Sequence, residues 1–207
     1  MGLQKSHRIL SHFPNIAYNI VAIGASTGGQ KPIIQILSAL PVDFPAAIIV
    51  VQHMNPLYHS RLAHILRGYT ALPVEQAKSG QIMRPGTVYT YLQDRHLVVD
   101  ANGSLSLLES PKINFVRPSV DKLFMSVGLN YGIRGIGIVL SGCGRDGALG
   151  VIAMKKYGCM TIAQDETTSE YFNMPSAAID TGKVDFVLTP ERIAKSLSSM
   201  VMTELIA

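Results

Sequence analysis

Cysteine is almost missing from this chain: Cys143 and Cys159 are the only two in 207 residues. They share no recognisable spacing and form no C-x-x-C, which excludes a disulfide framework and a structural zinc site and points to a reducing, cytoplasmic setting. No H-x-H, no H-E-x-x-H and no carboxylate cluster occurs, so neither a metal nor a cofactor is expected. No apolar run approaches the ~20 residues of a membrane-spanning helix, and membrane insertion is not expected. The opening MGLQKSHRILSHFPN lacks the apolar stretch of a signal peptide. Charge is also sparse, at 15%, and the net +4 is spread without a Lys/Arg cluster. That argues against nucleic acid and is compatible with an acidic protein partner. With 47% hydrophobic residues the chain is globular and large enough for one domain with a real core. Residues 1–18 read as a polar arm or linker, and the domain as 19–207.

What is present is organised around IVAIGASTGG, Ile20 to Gly29. A β-branched run reads as a buried strand, breaks at Gly24 and resumes at Gln30 with helical spacing. Gly24-Ala25-Ser26-Thr27-Gly28 is a G-x-S-x-G, which predicts a tight, strained turn presenting the Ser26 hydroxyl above the sheet edge. A phosphate-binding turn competes. A P-loop needs Lys directly after Gly29, where the chain has Gln30, and a dinucleotide fingerprint needs glycine where Ser26 stands. Taken alone, the stretch leaves nucleophile, phosphate cradle and plain structural turn open.

The rest of the chain alternates strands and helices. Strands are expected at Ile20–Ala25, Ala46–Gln52, Gly135–Ser141, Cys159–Gln164 and Val184–Leu188, with a short one at Pro73–Ala77. Helices are expected at Pro32–Leu40, Leu57–Arg67, Pro118–Tyr131 with Pro118 in first position, Ala148–Tyr157, Ser176–Thr181 and Pro190–Met202. Residues 78–110 change character. Thr87–Leu92 alternates, and His96–Asp100 and Ser104–Leu108 flank the turn signal Asn102-Gly103, so the segment reads as an antiparallel insertion or edge extension. Strands apolar on both faces, alternating with helices, predict an α/β fold: a doubly wound, Rossmann-like, mostly parallel sheet covered by helices on both faces, with a hairpin extension.

In such sheets ligands bind beyond the carboxyl ends of the strands. Ser26 follows the first strand, His53 the second, and Asp146 lies in the Gly142–Gly147 loop after the third. A serine hydroxyl needs an adjacent base. Histidine is the side chain suited to accept its proton near neutrality, and a carboxylate on the far ring nitrogen fixes the tautomer. Backbone N–H groups near Ser26 and in the Gly142–Gly144 loop are candidates for an oxyanion hole. His96 is the rival base and Asp165 the rival acid, with Asp121, Asp94 and Asp185 weaker. Asp146 reads equally well as a cap on the helix behind it. Cys143 has nothing beside it in sequence that marks an activated thiol.

These residues sit in stretches that resemble the catalytic domain of the chemotaxis protein-glutamate methylesterase family, CheB. They are VAIGASTGG (21–29), VVQHM (50–54), RPSVDKLF (117–124), GIVLSGCGRDGALG (137–150), TIAQDE (161–166) and MPSAAID (174–180), in family order. The resemblance implies a serine hydrolase that demethylates glutamate γ-methyl esters on the cytoplasmic helical bundle of chemoreceptors, releasing methanol, and that also deamidates certain receptor glutamines. By motif it assigns Ser26 as nucleophile, His53 as base and Asp146 as carboxylate, with Thr27 and the Cys143 backbone at the oxyanion-stabilising positions. Family members usually carry methionine where Cys143 stands, and YLQDRH (91–96) and FNMP (172–175) also depart from the family pattern. A receiver domain normally precedes the catalytic domain, and residues 1–18 are too short to be one. The expectation is therefore a piece of a longer protein or a stand-alone form with a separate regulatory protein in the receiver's place. The alternative reading is a catalytically inactive partner-binding module of the same fold.

Overall fold

The structure is a computed structural model that describes residues 19–54 and 60–202. The expected arm at 1–18 and the first residues of the expected Leu57–Arg67 helix lie outside the described residues. Seven strands form one parallel sheet. In chain order they are β1 (Asn19–Ala25), β2 (Ala46–Gln52), β3 (Val74–Gln76), β4 (Val88–Thr90), β7 (Gly135–Val139), β8 (Met160–Gln164) and β9 (Phe186–Leu188). Their spatial order is β3-β4-β2-β1-β7-β8-β9. A separate antiparallel pair joins β5 (His96–Val99) to β6 (Leu105–Leu108).

Every residue of β1, β2 and β7 is buried. Such continuous Val/Ile-rich segments gain only when both faces are covered, each large apolar side chain contributing about 1.5–3 kcal/mol. The helices are α1 (Gln30–Ser38), α2 (Leu62–Arg67), α3 (Val120–Tyr131), α4 (Ala148–Lys156), α5 (Asn173–Ile179) and α6 (Pro190–Met202). Helix α1 packs with α6, whereas α4 packs with both α3 and α5. From the centre of the sheet the chain moves one way through α1 to β2 and the other way through α4 to β8. Right-handed crossovers in opposite directions put those helices on opposite faces.

Two local readings change. The alternating stretch Thr87–Leu92 is not part of an antiparallel insertion: its core, β4, lies parallel between β2 and β3. Three buried residues are too few for alternation to report a half-solvated face. Helix α3 starts at Val120 with Ser119 as N-cap, its Oγ accepting from the Lys122 N–H at 3.4 Å. Pro118 therefore precedes the cap and does not occupy the first helical position. The Asn102-Gly103 hairpin is formed between β5 and β6 as the sequence suggests.

Candidate active site

Ala25 and Gln52 are the last paired residues of β1 and β2. Ser26 and His53 are the next residue on each strand, and neighbouring strands run ~4.8 Å apart. The His53 N–H donates to the Ala25 carbonyl at 2.9 Å, and the Ser26 N–H donates to the Ser141 carbonyl beyond β7 at 3.0 Å. These bonds fasten three strand ends to one another at the crevice where the chain's direction across the sheet reverses. Ser26 does not have a left-handed backbone; the positive φ of this turn falls on Gly28, at 74°. The strain expected at the serine is thus carried by a residue that has no Cβ to clash.

His53 Nε2 lies 2.8 Å from Asp146 Oδ2, with the ring about one-tenth exposed and the carboxylate at 4%. An ionised carboxylate only accepts, so Nε2 carries the proton and Nδ1 is left as the basic nitrogen. Among the described residues no hydrogen bond joins the Ser26 hydroxyl to this ring. Nucleophile–base contacts are commonly loose before substrate binds.

Asp146 has further partners. Its Oδ1 accepts from Ser119 Oγ at 2.8 Å and from the Asp121 N–H at 3.0 Å, and its Oδ2 also accepts from the Val120 N–H at 2.6 Å. It therefore caps α3, not the helix behind it. The first turn of α4 is served by Asp121, whose Oδ1 accepts from the Gly147 and Gly150 N–H groups at 2.8 and 2.7 Å. Two helices packed side by side exchange capping carboxylates. Burial works to raise the Asp146 pKa, but the hydrogen bonds from His53 and from the Asp121 and Val120 N–H groups outweigh it and hold the carboxyl below its ordinary value. Asp121 goes the other way: burial, then the charge of Asp146, push it up to about 6.

The loop that carries Asp146 touches Ser26 directly. A Cβ on Gly142 would lie 2.7 Å from the Ser26 Cβ and 2.3 Å from Met174 Sδ, so only glycine permits this approach. The Gly142 N–H is committed to the Tyr171 carbonyl, as the Ser26 N–H is to Ser141. Both drop out as anion donors. The N–H groups of Thr27 and Cys143 are in none of the hydrogen bonds among the described residues. Both residues are exposed. Beside His53 lies a cavity of about 210 Å³, whose lining includes Met54, Lys112 and Phe115.

The rival residues are employed elsewhere. His96 is fully buried, with Nε2 on the Pro111 carbonyl at 3.0 Å and Nδ1 accepting from the Ser119 N–H at 3.1 Å. Burial lowers its pKa and keeps it neutral. It orients the α3 cap and is not a base for Ser26. Asp165 is held by Thr167 and Thr168, Asp94 by Arg117 and Asp185 by Lys155. Cys159 is buried and its thiol is pushed up to about 12. Sequence reasoning missed Ser119 and Asp121 as supports. Their signal was a serine directly before an apolar helix with an acid in its first turn.

Known proteins resemble this chain in family pattern, in sequence and in structure. The family model described as CheB methylesterase matches residues 21–197. A protein-glutamate methylesterase/protein-glutamine glutaminase 2 of Burkholderia lata is 44% identical over 182 residues, 88% of this chain and 54% of the relative. A protein-glutamate methylesterase/protein-glutamine glutaminase of Pyrococcus horikoshii is 38% identical over 204 residues, 97% of this chain and 55% of the relative. The chain thus spans about half the length of the curated relatives it matches. The crystal structure of the Thermotoga maritima CheB methylesterase catalytic domain superposes with a TM-score of 0.85 at 40% identity, covering 88% of this chain and 98% of that one.

Proposed function

Because the chain belongs to the CheB methylesterase family, we propose that it hydrolyses glutamate γ-methyl esters on the helical bundle of a chemoreceptor, and that it deamidates receptor glutamines at the same site. The Ser26 hydroxyl attacks the ester carbonyl while His53 Nδ1 takes its proton. Asp146 holds the Nε2–H and offsets the imidazolium charge. The N–H groups of Thr27 and Cys143 receive the oxyanion. Collapse breaks the ester C–O bond, and the imidazolium returns the proton to departing methoxide as methanol. Water, deprotonated by the same nitrogen, then attacks the glutamyl–Ser26 ester, leaving a free carboxylate and restoring the serine. With glutamine the leaving group is ammonia.

The observation that carries this reading is the 2.8 Å His53–Asp146 contact on the strand end next to that of Ser26. The cavity also supports it. About 210 Å³ is below the ~300–1,000 Å³ of sites that enclose a small molecule, and suits one side chain of a larger substrate. The test is methanol release from methylated receptor. Ser26→Ala is expected to lose on the order of 10⁴–10⁶ in kcat with the fold intact. Undiminished turnover by that variant refutes the assignment. Labelling of Ser26 by a fluorophosphonate separates an active esterase from an inactive binding module.

A further inference from the structure

Phe115 is 94% exposed, the most exposed large apolar side chain among the described residues. It stands at the tip of a two-residue turn in which Ile113 and Val116 exchange N–H···O bonds of 3.1 and 2.9 Å. Asn114 and Phe115 both have left-handed backbones, with φ of 48° and 66°. Turns of this kind favour Asn-Gly. Asparagine is in place, and the position that favours glycine holds a bulky aromatic whose left-handed φ is an outlier for its type. The fold gains nothing from that ring, since it is almost wholly in water. Exposure and backbone strain thus coincide in one residue whose ring does not serve the fold's own packing.

The tip is firmly based. Arg117, two residues on, donates to the Asp94 carboxylate at 2.9 and 2.7 Å and to the Ser110 carbonyl at 2.9 Å. Asn114 Nδ2 reaches Asp121 Oδ2 at 3.5 Å. Phe115 borders the cavity that begins at His53, and Met54, 44% exposed, borders it too. Lys112 lines the same mouth and enters no ion pair among the described residues. A cavity that admits one side chain leaves the rest of a macromolecular substrate lying across this rim.

Resting on the function proposed above, we propose that Phe115 and Met54 grip the substrate's own helix: a segment that presents its esterified glutamate to Ser26, lays an apolar side chain against the Phe115 ring, and sets a carboxylate near Lys112. Phe115 is a specificity-determining residue for protein substrate and takes no part in the chemistry.

The experiment compares wild type with Phe115→Gly on methylated receptor. Glycine suits the left-handed backbone, so the melting temperature is expected to hold or rise. KM is expected to rise about tenfold or more while kcat at saturation stays within about twofold, and Phe115→Tyr restores KM. Phe115→Asn, also at home in this backbone, is the second variant should glycine loosen the turn. Unchanged KM in both variants overturns the inference, as does a fall in kcat with KM unchanged. If wild type hydrolyses p-nitrophenyl acetate but releases no methanol from methylated receptor, the substrate reading beneath the inference fails instead.

Discussion

Asp146 receives four hydrogen bonds, from His53 Nε2, Ser119 Oγ and the N–H groups of Val120 and Asp121. One buried carboxylate thus orients the ring and anchors α3. Because its folded pKa is depressed, the stability it contributes is present above the unfolded value of 3.8 and is lost as pH falls through the folded one. Asp146→Asn keeps the shape but replaces one acceptor with an N–H₂ that confronts other donors. The expected result is a loss of about 10⁴ in kcat through the wrong imidazole tautomer. A loss of about 1–3 kcal/mol in urea unfolding should accompany it, because a buried donor is left unsatisfied. A variant with normal turnover would remove Asp146 from the mechanism. The strand-end rule led to Ser26, His53 and Asp146 as candidates, and the structure brings His53 and Asp146 into contact. In sequence Asp146 also reads as a cap on the helix behind it, and it caps α3 instead. Which helix it caps was not legible, because its partners lie 25 to 27 residues away and meet it only in the packed fold. Asp121 reads in sequence only as a weaker rival acid, and its service to α4 was not legible because an acid in a helix's first turn looks like an ordinary dipole partner.

Between elements, the exchange of caps couples α3 to α4, and through Asp146 couples both to His53. It also places two buried carboxylates close together. Asp121 keeps its proton longer in the folded protein than in the unfolded chain, so the stabilisation it brings is complete below 3.8 and is lost as pH rises through about 6. At neutral pH ionising Asp121 then costs on the order of 2–3 kcal/mol, chiefly through its burial and then through the charge of Asp146. Asp121→Asn retains an acceptor for the Gly147 and Gly150 N–H groups and removes the charge. Its melting temperature at pH 8 should exceed wild type by roughly 4–12 °C, using about 2–4 °C per kcal/mol for a domain this size. The difference should fall to roughly half at pH 5, where folded Asp121 is neutral but the unfolded chain still gives up its proton, and it should vanish only below 3.8. A difference that is the same at both pH values would show that the charge is not the cause. The element boundaries read from sequence were best where pattern was strongest: Ala46–Gln52 and Pro190–Met202 coincide with β2 and α6. They were poorest at β4, whose parallel pairing is decided by its neighbours and not by its own three residues.

Across the whole molecule, the doubly wound sheet was legible because its central strands are apolar at every position, a pattern that only two covered faces can satisfy. What the sequence left unresolved was the order of the strands, which depends on crossovers and not on any local signal. That order has a mechanical consequence. Ser26 and His53 leave β1 and β2, which have a hydrogen-bonded strand on both sides, while β9 closes one edge with Phe186 and Val187 nearly half exposed. Edge strands with few buried side chains open locally, whereas central strands exchange only when the domain unfolds. Amide hydrogen exchange in low urea should therefore divide the sheet. Amides of β1 and β7 should slow to the rate set by global unfolding and carry its full urea dependence. Amides of β9 should exchange faster, with little urea dependence. Equal protection in β9 and β1 would mean that the sheet opens as one unit. The expected gradient instead keeps the strand ends under Ser26 and His53 fixed until the whole domain unfolds, so that a site assembled from three loops stays assembled while the edge of the sheet frays.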